Sequence, residues 1–384
     1  MRIVMTGIRG VPARYSGLET CAEEVGRRLV ARGHEVIVYC RRHAFPPPDT
    51  GEPHLGMRRI ILPSLKTKHA DTYIHTLLSL LHAPSQKPDV LLVFNPGNAT
   101  LCLIPKLLGY PVALNPDGFD WTRQKWNRAA RLFIQASAWL STRIVDQLVT
   151  DAVAVCNHYN DHFRCEPKAV YIPNGAPVET PEDSPVPSEQ AAAILRQYGL
   201  ESGRYILFLS RHEPENSCEL IIRAFEGLDT SMKLFFGGGV TYQSSYADGL
   251  RNTPDTRIMF PGPIYDPLHV KVLHHHCYFL INGNQPGGTS LGLLKAMGYG
   301  TCVVTVKTPD NDYTVRDAGL TFDLSPESLR SIMRRLLDSP EEVKELRRRA
   351  VMRIREEYLW DDIALKYEEV LSRIQRPRAG RSGT

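Results

Sequence analysis

Apolar residues along this chain follow two alternating periods. Short, almost wholly apolar runs read as strands buried on both faces: Arg2–Thr6, Glu35–Cys40, Arg58–Leu62, Asp89–Phe94, Pro111–Asn115 and Ala152–Cys156. Between the first two, Leu18, Ala22, Val25 and Leu29 recur at helical spacing, with Glu23, Glu24, Arg27 and Arg28 among them. Gly33 then stands where a helix-ending glycine belongs. This β-α-β rhythm predicts a parallel sheet covered by helices on both sides. Over Val178–Glu189 the periodicity is lost. That stretch is rich in proline and acid and reads as an exposed linker. The rhythm then restarts with strands at Tyr205–Leu209, Met232–Phe236, Arg257–Phe260, Cys277–Asn282 and Cys302–Thr305. A last helical stripe, Ile363, Tyr367, Val370, Leu371 and Ile374, follows Trp360-Asp-Asp, which is placed to cap it. The basic tail from Gln375 to Thr384 predicts no packed element. Open parallel sheets bind ligands beyond the carboxyl ends of their strands, so two such sheets place the expected site in a cleft between them.

Composition narrows the class. A chain of 384 residues suits two domains of this type. Lys plus Arg is 46 against 42 Asp plus Glu, a net +4, without the concentrated basic excess of a nucleic-acid binder. Hydrophobic residues at 42% supply real cores and exclude a disordered chain. No run approaches the roughly 18 apolar residues of a membrane span. Met1–Thr6 reads as a strand and not as the start of a signal peptide. The eight cysteines, at 21, 40, 102, 156, 165, 218, 277 and 302, form no CxxC pair, so neither structural zinc nor a disulfide framework is expected. The expectation is a soluble cytoplasmic α/β protein.

Candidate chemistry lies on loops after strands. Gly7-Ile-Arg-Gly10-Val-Pro-Ala-Arg-Tyr-Ser-Gly17 follows the first strand, and its glycines let main-chain N–H groups approach a ligand at a helix start. It fits a dinucleotide fingerprint poorly, because the second strand ends in Cys40-Arg41-Arg42 with no acid for a ribose. Arg41 suits a 2′-phosphate, so a reductase stays open on this point alone. Asp117-Gly118 follows another strand and reads equally as a common turn pair or as an acid near a sugar hydroxyl. Gly287-Gly288-Thr289-Ser290 precedes a helix and reads as a phosphate cradle or a plain N-cap. Trp121, Arg123, Lys125, Trp126, Arg128, Arg131, Phe133 and Trp139 interleave aromatic and basic residues over what reads as one helix, which suits an anionic membrane surface or a solvated basic face. His274-His275-His276 points in three directions on a helix and is no metal site.

The stretch from Gly7 to Arg41 strongly resembles the opening of family 4 glycosyltransferases of the GT-B fold, in the bacterial group that includes rhamnosyltransferases of polysaccharide assembly. The resemblance continues at Asp117-Gly118-Phe-Asp120-Trp121-Thr-Arg123-Gln-Lys125-Trp126, Tyr171-Ile-Pro-Asn-Gly175 and Arg211-His-Glu-Pro-Glu215-Asn216. It also covers Gly262-Pro-Ile-Tyr-Asp266 and the block from Gly287 to Gly298. Ordered blocks over nearly the whole chain are far more specific than any one of them.

The resemblance implies two facing Rossmann-like domains with a nucleotide-sugar in the cleft. Residues 1–177 would be the acceptor-side domain, completed by a helix at 360–375 that crosses back. Residues 178–200 would be the linker and 201–359 the donor-binding domain. It implies a retaining transferase that needs no cofactor or bound metal. The donor would be dTDP-rhamnose or a UDP-sugar, and the acceptor a saccharide or lipid-linked sugar at the inner face of a membrane. Leaving-group charge must be stabilised as the anomeric C–O bond breaks, and Arg suits a diphosphate. Arg211 and Asp117 are therefore the candidates for the reacting centre. Donor-side candidates are Gly17, Arg211, Glu215, Asn216, Gly287, Gly288, Thr289, Ser290 and Lys295. Acceptor-side candidates are Arg14, Tyr15, Glu19, Asp117, Gly118 and Trp121. Three positions depart from the family pattern, one of them Gly287, which stands where the wider family often has its first Glu. Asn216 stands where a Lys is common. Lys295 stands where a Glu usually accepts from the donor ribose, and an ammonium has donors but no acceptor. A catalytically silent homologue that binds a partner, and a sugar-nucleotide epimerase of the same fold, are the alternatives.

Overall fold

The computed structural model describes residues 1–14, 16–65, 67, 71–119, 121, 127–240, 245–285 and 288–376. The chain forms two compact units. One holds Met1–Asn174, Gly288 and the chain from Trp360 on, and the other holds Gly175–Gln285 and Thr289–Leu359.

The first unit is built on strands β1 (Arg2–Thr6), β2 (Glu35–Arg41), β3 (Arg58–Leu62), β4 (Val90–Phe94), β5 (Val112–Asn115), β6 (Gln147–Thr150) and β7 (Val170–Tyr171). They pair in parallel in the order β3-β2-β1-β4-β5-β6-β7. Between them lie helices α1 (Gly17–Ala31), α2 (Asp71–His82), α3 (Leu103–Leu107), α4 (Arg128–Ile144) and α5 (Val153–Asn157). Every residue of β4 is buried, as expected of a central strand covered on both faces, whereas edge strand β3 is only half-buried. α1 buries Cys21, Ala22, Val25 and Leu29 and ends as its glycine predicts: Gly33 N donates to Val30 O at 2.9 Å and His34 N to Leu29 O at 3.0 Å. The run Ala152–Cys156 is not a strand. β6 ends at Thr150 and the run opens α5, because a short apolar run carries no period to tell strand from helix.

The second unit carries β8 (Tyr205–Leu209), β9 (Lys233–Gly237), β10 (Ile258–Met259), β11 (Leu280–Asn282), β12 (Val303–Val306) and β13 (Leu320–Phe322), paired in parallel as β10-β9-β8-β11-β12-β13. Its helices are α6 (Ser188–Gln197), α7 (Cys218–Glu226), α8 (Ser245–Leu250), α9 (Pro267–His276), α10 (Leu291–Gly298), α11 (Pro309–Val315), α12 (Pro326–Asp338) and α13 (Pro340–Glu357). The central strands divide their side chains between two cores. Ile206, Phe208, Leu234, Phe236, Ile281 and Val304 enter one, and Tyr205, Leu207, Phe235, Leu280 and Val303 the other. The chain around Val178–Glu189 is not a free spacer. Glu179 N donates to Gly298 O at 3.0 Å, Lys271 Nζ pairs with Glu179 at 2.5 Å, Thr180 is buried, and α6 begins at Ser188. Residues 178–200 thus pack on this unit, and their proline and acid content reflects a fitted surface segment.

The last helix, α14 (Trp360–Ile374), belongs to the first unit and packs on α1. Ile363, Tyr367, Val370 and Leu371 are buried there. Arg28–Asp361 at 2.5 Å, Arg32–Glu368 at 2.5 Å and His34–Glu368 at 2.6 Å pin its outer side. Trp360-Asp361-Asp362 forms its first turn and not a cap, and the two acids there complement the helix dipole.

Each unit hides a histidine. Burial holds His75 in α2 down to about 4, helped by repulsion from Arg41, and His274 in α9 down to about 3, helped by Lys295 and His275. The ordinary value is near 6.5. Between that value and the folded ones, the unfolded chain binds protons that the folded chain does not, so stability falls as pH drops. Urea midpoints should fall between about pH 6.5 and pH 4, by an amount equivalent to roughly 3 kcal/mol per histidine at the acid end. The fall should flatten in His75→Gln and His274→Gln, and an unchanged profile in both variants would contradict this assignment.

Candidate functional site

In the first unit the loop after β1 folds onto the start of α1. A Cβ on Gly7, which has φ +95°, would lie 2.2 Å from Phe94 O, so only glycine lets β1 turn against β4 here. Ser16 caps α1, its Oγ accepting from Glu19 N at 3.4 Å. Glu19 is buried, and its Oε2 accepts from Arg14 N at 3.4 Å, while Glu23 Oε2 accepts from Ala13 N at 2.8 Å. The start of α1 thus already holds two carboxylates. Arg14 is exposed, its guanidinium 5.5 Å from the Phe45 ring centroid, and Gly17 is exposed at the helix start. Tyr15 lies outside the described residues. Arg41 is buried and paired with Asp71 at 2.7 Å, so it offers nothing to a 2′-phosphate, and the dehydrogenase-type reading loses its one support.

After β5, Asp117 is half-buried at φ 60° and Gly118 is buried. Asp117 N donates to Asn115 Oδ1 at 2.9 Å, and Asn115 Nδ2 donates to Tyr367 Oη at 3.0 Å. After β6, buried Asp151 accepts from Asn174 Nδ2 at 3.0 Å. Trp121 is not on the helix that follows. Asn127 caps that helix, so α4 starts at Arg128, and Trp121 packs half-buried in an aromatic cluster. Its ring lies 5.4 Å from Phe119, 5.7 Å from His158 and 6.3 Å from Phe163. Arg123, Lys125 and Trp126 lie outside the described residues.

In the second unit, Arg211 follows β8 with its side chain 53% exposed, 3.4 Å from Glu213. Its loop is clamped from below. Asn216 is buried and its Nδ2 donates to Arg211 O at 2.8 Å. Ser217 Oγ donates to Gly283 O at 2.9 Å, Gln285 Nε2 donates to Ser217 Oγ at 2.9 Å, and Gln285 N donates to Glu215 O at 3.0 Å. A Cβ on Gly283 would lie 2.1 Å from Asn216 O, so the loops after β8 and β11 are in direct contact. Asn216 thus supports the loop that carries Arg211. Ser290 caps α10, its Oγ accepting from Leu293 N at 3.4 Å, with Thr289 buried beside it and Gly288 half-exposed. Gly287 lies outside the described residues.

Lys295 is half-buried on α10, with its Nζ 5.6 Å from the Tyr299 ring centroid, one turn toward the helix C-terminus. It makes no ion pair or hydrogen bond among the described residues. Burial lowers its pKa, Glu179 opposes that, and Lys271 adds to it. His275 bonds Glu179 O at 2.7 Å and His276 bonds Ser202 at 2.9 Å, while His274 faces Thr301. The three histidines turn to separate partners.

Sequence reading missed Asn115, Asp151, Asn174 and Tyr367. The only signals were a polar residue closing or following an apolar strand run, and Asn174 within the Tyr-Ile-Pro-Asn-Gly block.

Residues 15–180 match the sequence profile of Glycosyltransferase Family 4. No curated protein sequence matches the chain. Among solved structures, the sucrose-phosphate synthase of Thermosynechococcus elongatus is 18% identical, with 97% of this chain and 98% of that one covered and a TM-score of 0.78. HepE of Anabaena, in complex with UDP and glucose, is 13% identical over 97% and 100%, with a TM-score of 0.78. WaaG, a glycosyltransferase involved in lipopolysaccharide biosynthesis, is 17% identical over 96% and 99%, with a TM-score of 0.74. The two Rossmann-like parallel-sheet units are those of the GT-B fold.

Lys295→Glu would set a second carboxylate near Glu179 in a half-buried place. It should cost about 1–2 kcal/mol, or roughly 2–8 °C of melting temperature for a unit of this size. Lys295→Met, which keeps an apolar stem near Tyr299, should cost less. Equal melting of the two variants would show that Lys295 and Glu179 are not coupled.

Proposed function

We propose that this protein is a retaining glycosyltransferase that moves a sugar from a nucleotide-sugar donor to a saccharide or lipid-linked acceptor in surface polysaccharide or glycolipid assembly. The observation that carries this reading is Arg211. It is an open guanidinium at the carboxyl end of a central parallel strand, on a loop clamped by Asn216, Ser217 and Gln285. A fixed cation at that edge suits the charge that develops on a departing diphosphate. The match of residues 15–180 to a glycosyltransferase family, and likeness to HepE bound to UDP-glucose, support the same reaction class. On this reading the N-terminus of α10 cradles phosphate, Arg211 faces the diphosphate, and Asp117 holds or deprotonates an acceptor hydroxyl. Lys295 steadies α10 near Glu179 and leaves the ribose to other groups. The donor is a UDP-sugar or dTDP-rhamnose, and no metal or cofactor takes part. A second reading, a homologue that binds sugar nucleotides without turnover, is favoured by Lys295 and by Asn216, which brings no cation to the Arg211 loop.

We further propose that the first unit rests on an anionic membrane. Leu78 and Leu81 of α2, Leu103, Leu107 and Leu108 at α3, and Leu132, Phe133 and Trp139 of α4 are 36–84% exposed. These helices pack around the stretch 96–102. α4 carries Arg128, Arg131 and Arg143 and no acid. An exposed apolar surface beside arginines fits the headgroup boundary of an anionic bilayer. No described helix is long and apolar enough to cross a membrane.

A panel of nucleoside diphosphates should raise the melting temperature for one base, in line with about 2.7 kcal/mol at a ligand concentration near 100 Kd. Arg211→Ala should abolish that shift without lowering the unliganded melting temperature. No shift with any nucleotide would remove the donor site. The protein should co-sediment with vesicles of phosphatidylglycerol and not of phosphatidylcholine. Each of Arg128→Gln and Arg143→Gln should weaken this about fivefold, as expected for about 1 kcal/mol per basic residue. Failure to bind the anionic vesicles would contradict the membrane reading.

A further inference from the structure

Beneath the carboxyl edge of the first unit lies a buried polar knot drawn from three distant parts of the chain. Asn115 closes β5 and is buried, with its amide held at both ends: Nδ2 donates to Tyr367 Oη at 3.0 Å, and Oδ1 accepts from Asp117 N at 2.9 Å. Tyr367 reaches in from α14, is buried, and also lies 3.7 Å from Cys21 Sγ of α1. Burial, with Cys21 and Asp151 near, pushes its pKa well above the usual tyrosine range, so it stands as a neutral hydroxyl. Cys21 is pushed up to about 12 and is a neutral thiol.

The geometry has a direct consequence for Asp117. Its φ of 60° lies in the left-handed region, which an aspartate occupies at a cost unless something local holds it there. The Asn115 Oδ1 bond to its N–H is an Asx turn, the standard local device for this. An amide side chain can turn over and present nitrogen in place of oxygen. With nitrogen toward Asp117 N–H, two donors would meet and the turn would open. Asp117 N–H therefore demands the oxygen, and the Tyr367 hydroxyl, accepting from Asn115 Nδ2, ties down the other end of the amide in that orientation.

We infer that Tyr367 is a positioning residue: from the last helix it orients the Asn115 amide and through it fixes the turn that presents Asp117. This rests on the reading of Asp117 as an acceptor-side group. It gives α14 a second task besides covering α1.

Tyr367→Phe removes one oxygen and keeps the packed ring. Amide hydrogen exchange followed on the stretch 112–119 should show Asp117 N–H exchanging roughly tenfold faster or more. The amides of α1 and α14 should keep their protection. Nucleoside diphosphate release from UDP-glucose and dTDP-rhamnose, with a membrane lipid extract as acceptor source, should lose roughly tenfold or more in kcat, with donor KM unchanged. Unchanged protection at Asp117 would overturn the inference. So would lost protection with unchanged kcat, or a general loss of protection through α1 and α14, which would make Tyr367 a packing residue only. An unmodified chain that releases nothing from either sugar nucleotide would fail the transferase reading instead, and the exchange result would still decide what sets the turn.

Discussion

Parallel strands that are apolar on both faces must be covered on both faces, and this burial requirement governs everything else in the molecule. Helices occupy the two sides of each sheet, so polar and charged chemistry has room only at the strand ends. In the first unit that edge carries the Gly7 loop, Asp117 and Asp151. In the second it carries Arg211, Gly283 and the cap of α10. The same requirement explains the return of α14. α1 covers the first sheet but leaves an apolar stripe of its own, and Ile363, Tyr367, Val370 and Leu371 bury it.

At both edges the polar residues divide into those that hold and those that are held. Asn216, Ser217, Gln285 and Ser290 use their side chains on main-chain groups or on each other. Glu19, Glu23 and Asn115 do the same in the first unit. Arg211 stands 53% exposed in the second unit, and half-buried Asp117 sits on its left-handed turn in the first. Groups carried on supports of this kind suit pre-organised electrostatics.

The longer strands were legible because continuous apolar runs have few other uses, and Gly33 marked a helix end that the hydrogen bonds confirm. The short strands β6, β7 and β13 were not read, and other features were hidden too. Ala152–Cys156 lacks any period, so its helix was hidden. The start of α4 lay inside a run of mixed aromatic and basic residues, where Asn127 gave no special signal as a cap. Residues 178–200 have the composition of a spacer, yet Glu179 is fixed by Lys271 and Gly298, positions far along the chain. The same distance hid the surroundings of Lys295, whose pKa is influenced by Glu179 and Lys271, and the contact of Tyr367, which meets Asn115 across 252 positions. Local chemistry could be read from the motifs, but which residue supports which depended on contacts that only the fold creates.

The central claim is that this chain transfers a sugar from a nucleotide. The most direct measurement incubates the intact protein with UDP-glucose or dTDP-rhamnose and a membrane lipid extract, and follows donor, nucleotide and acceptor together by mass spectrometry. Sugar transfer yields free nucleoside diphosphate and an acceptor one sugar heavier, in equal amounts. Donor left untouched, or donor altered with no acceptor gaining a sugar, would contradict it.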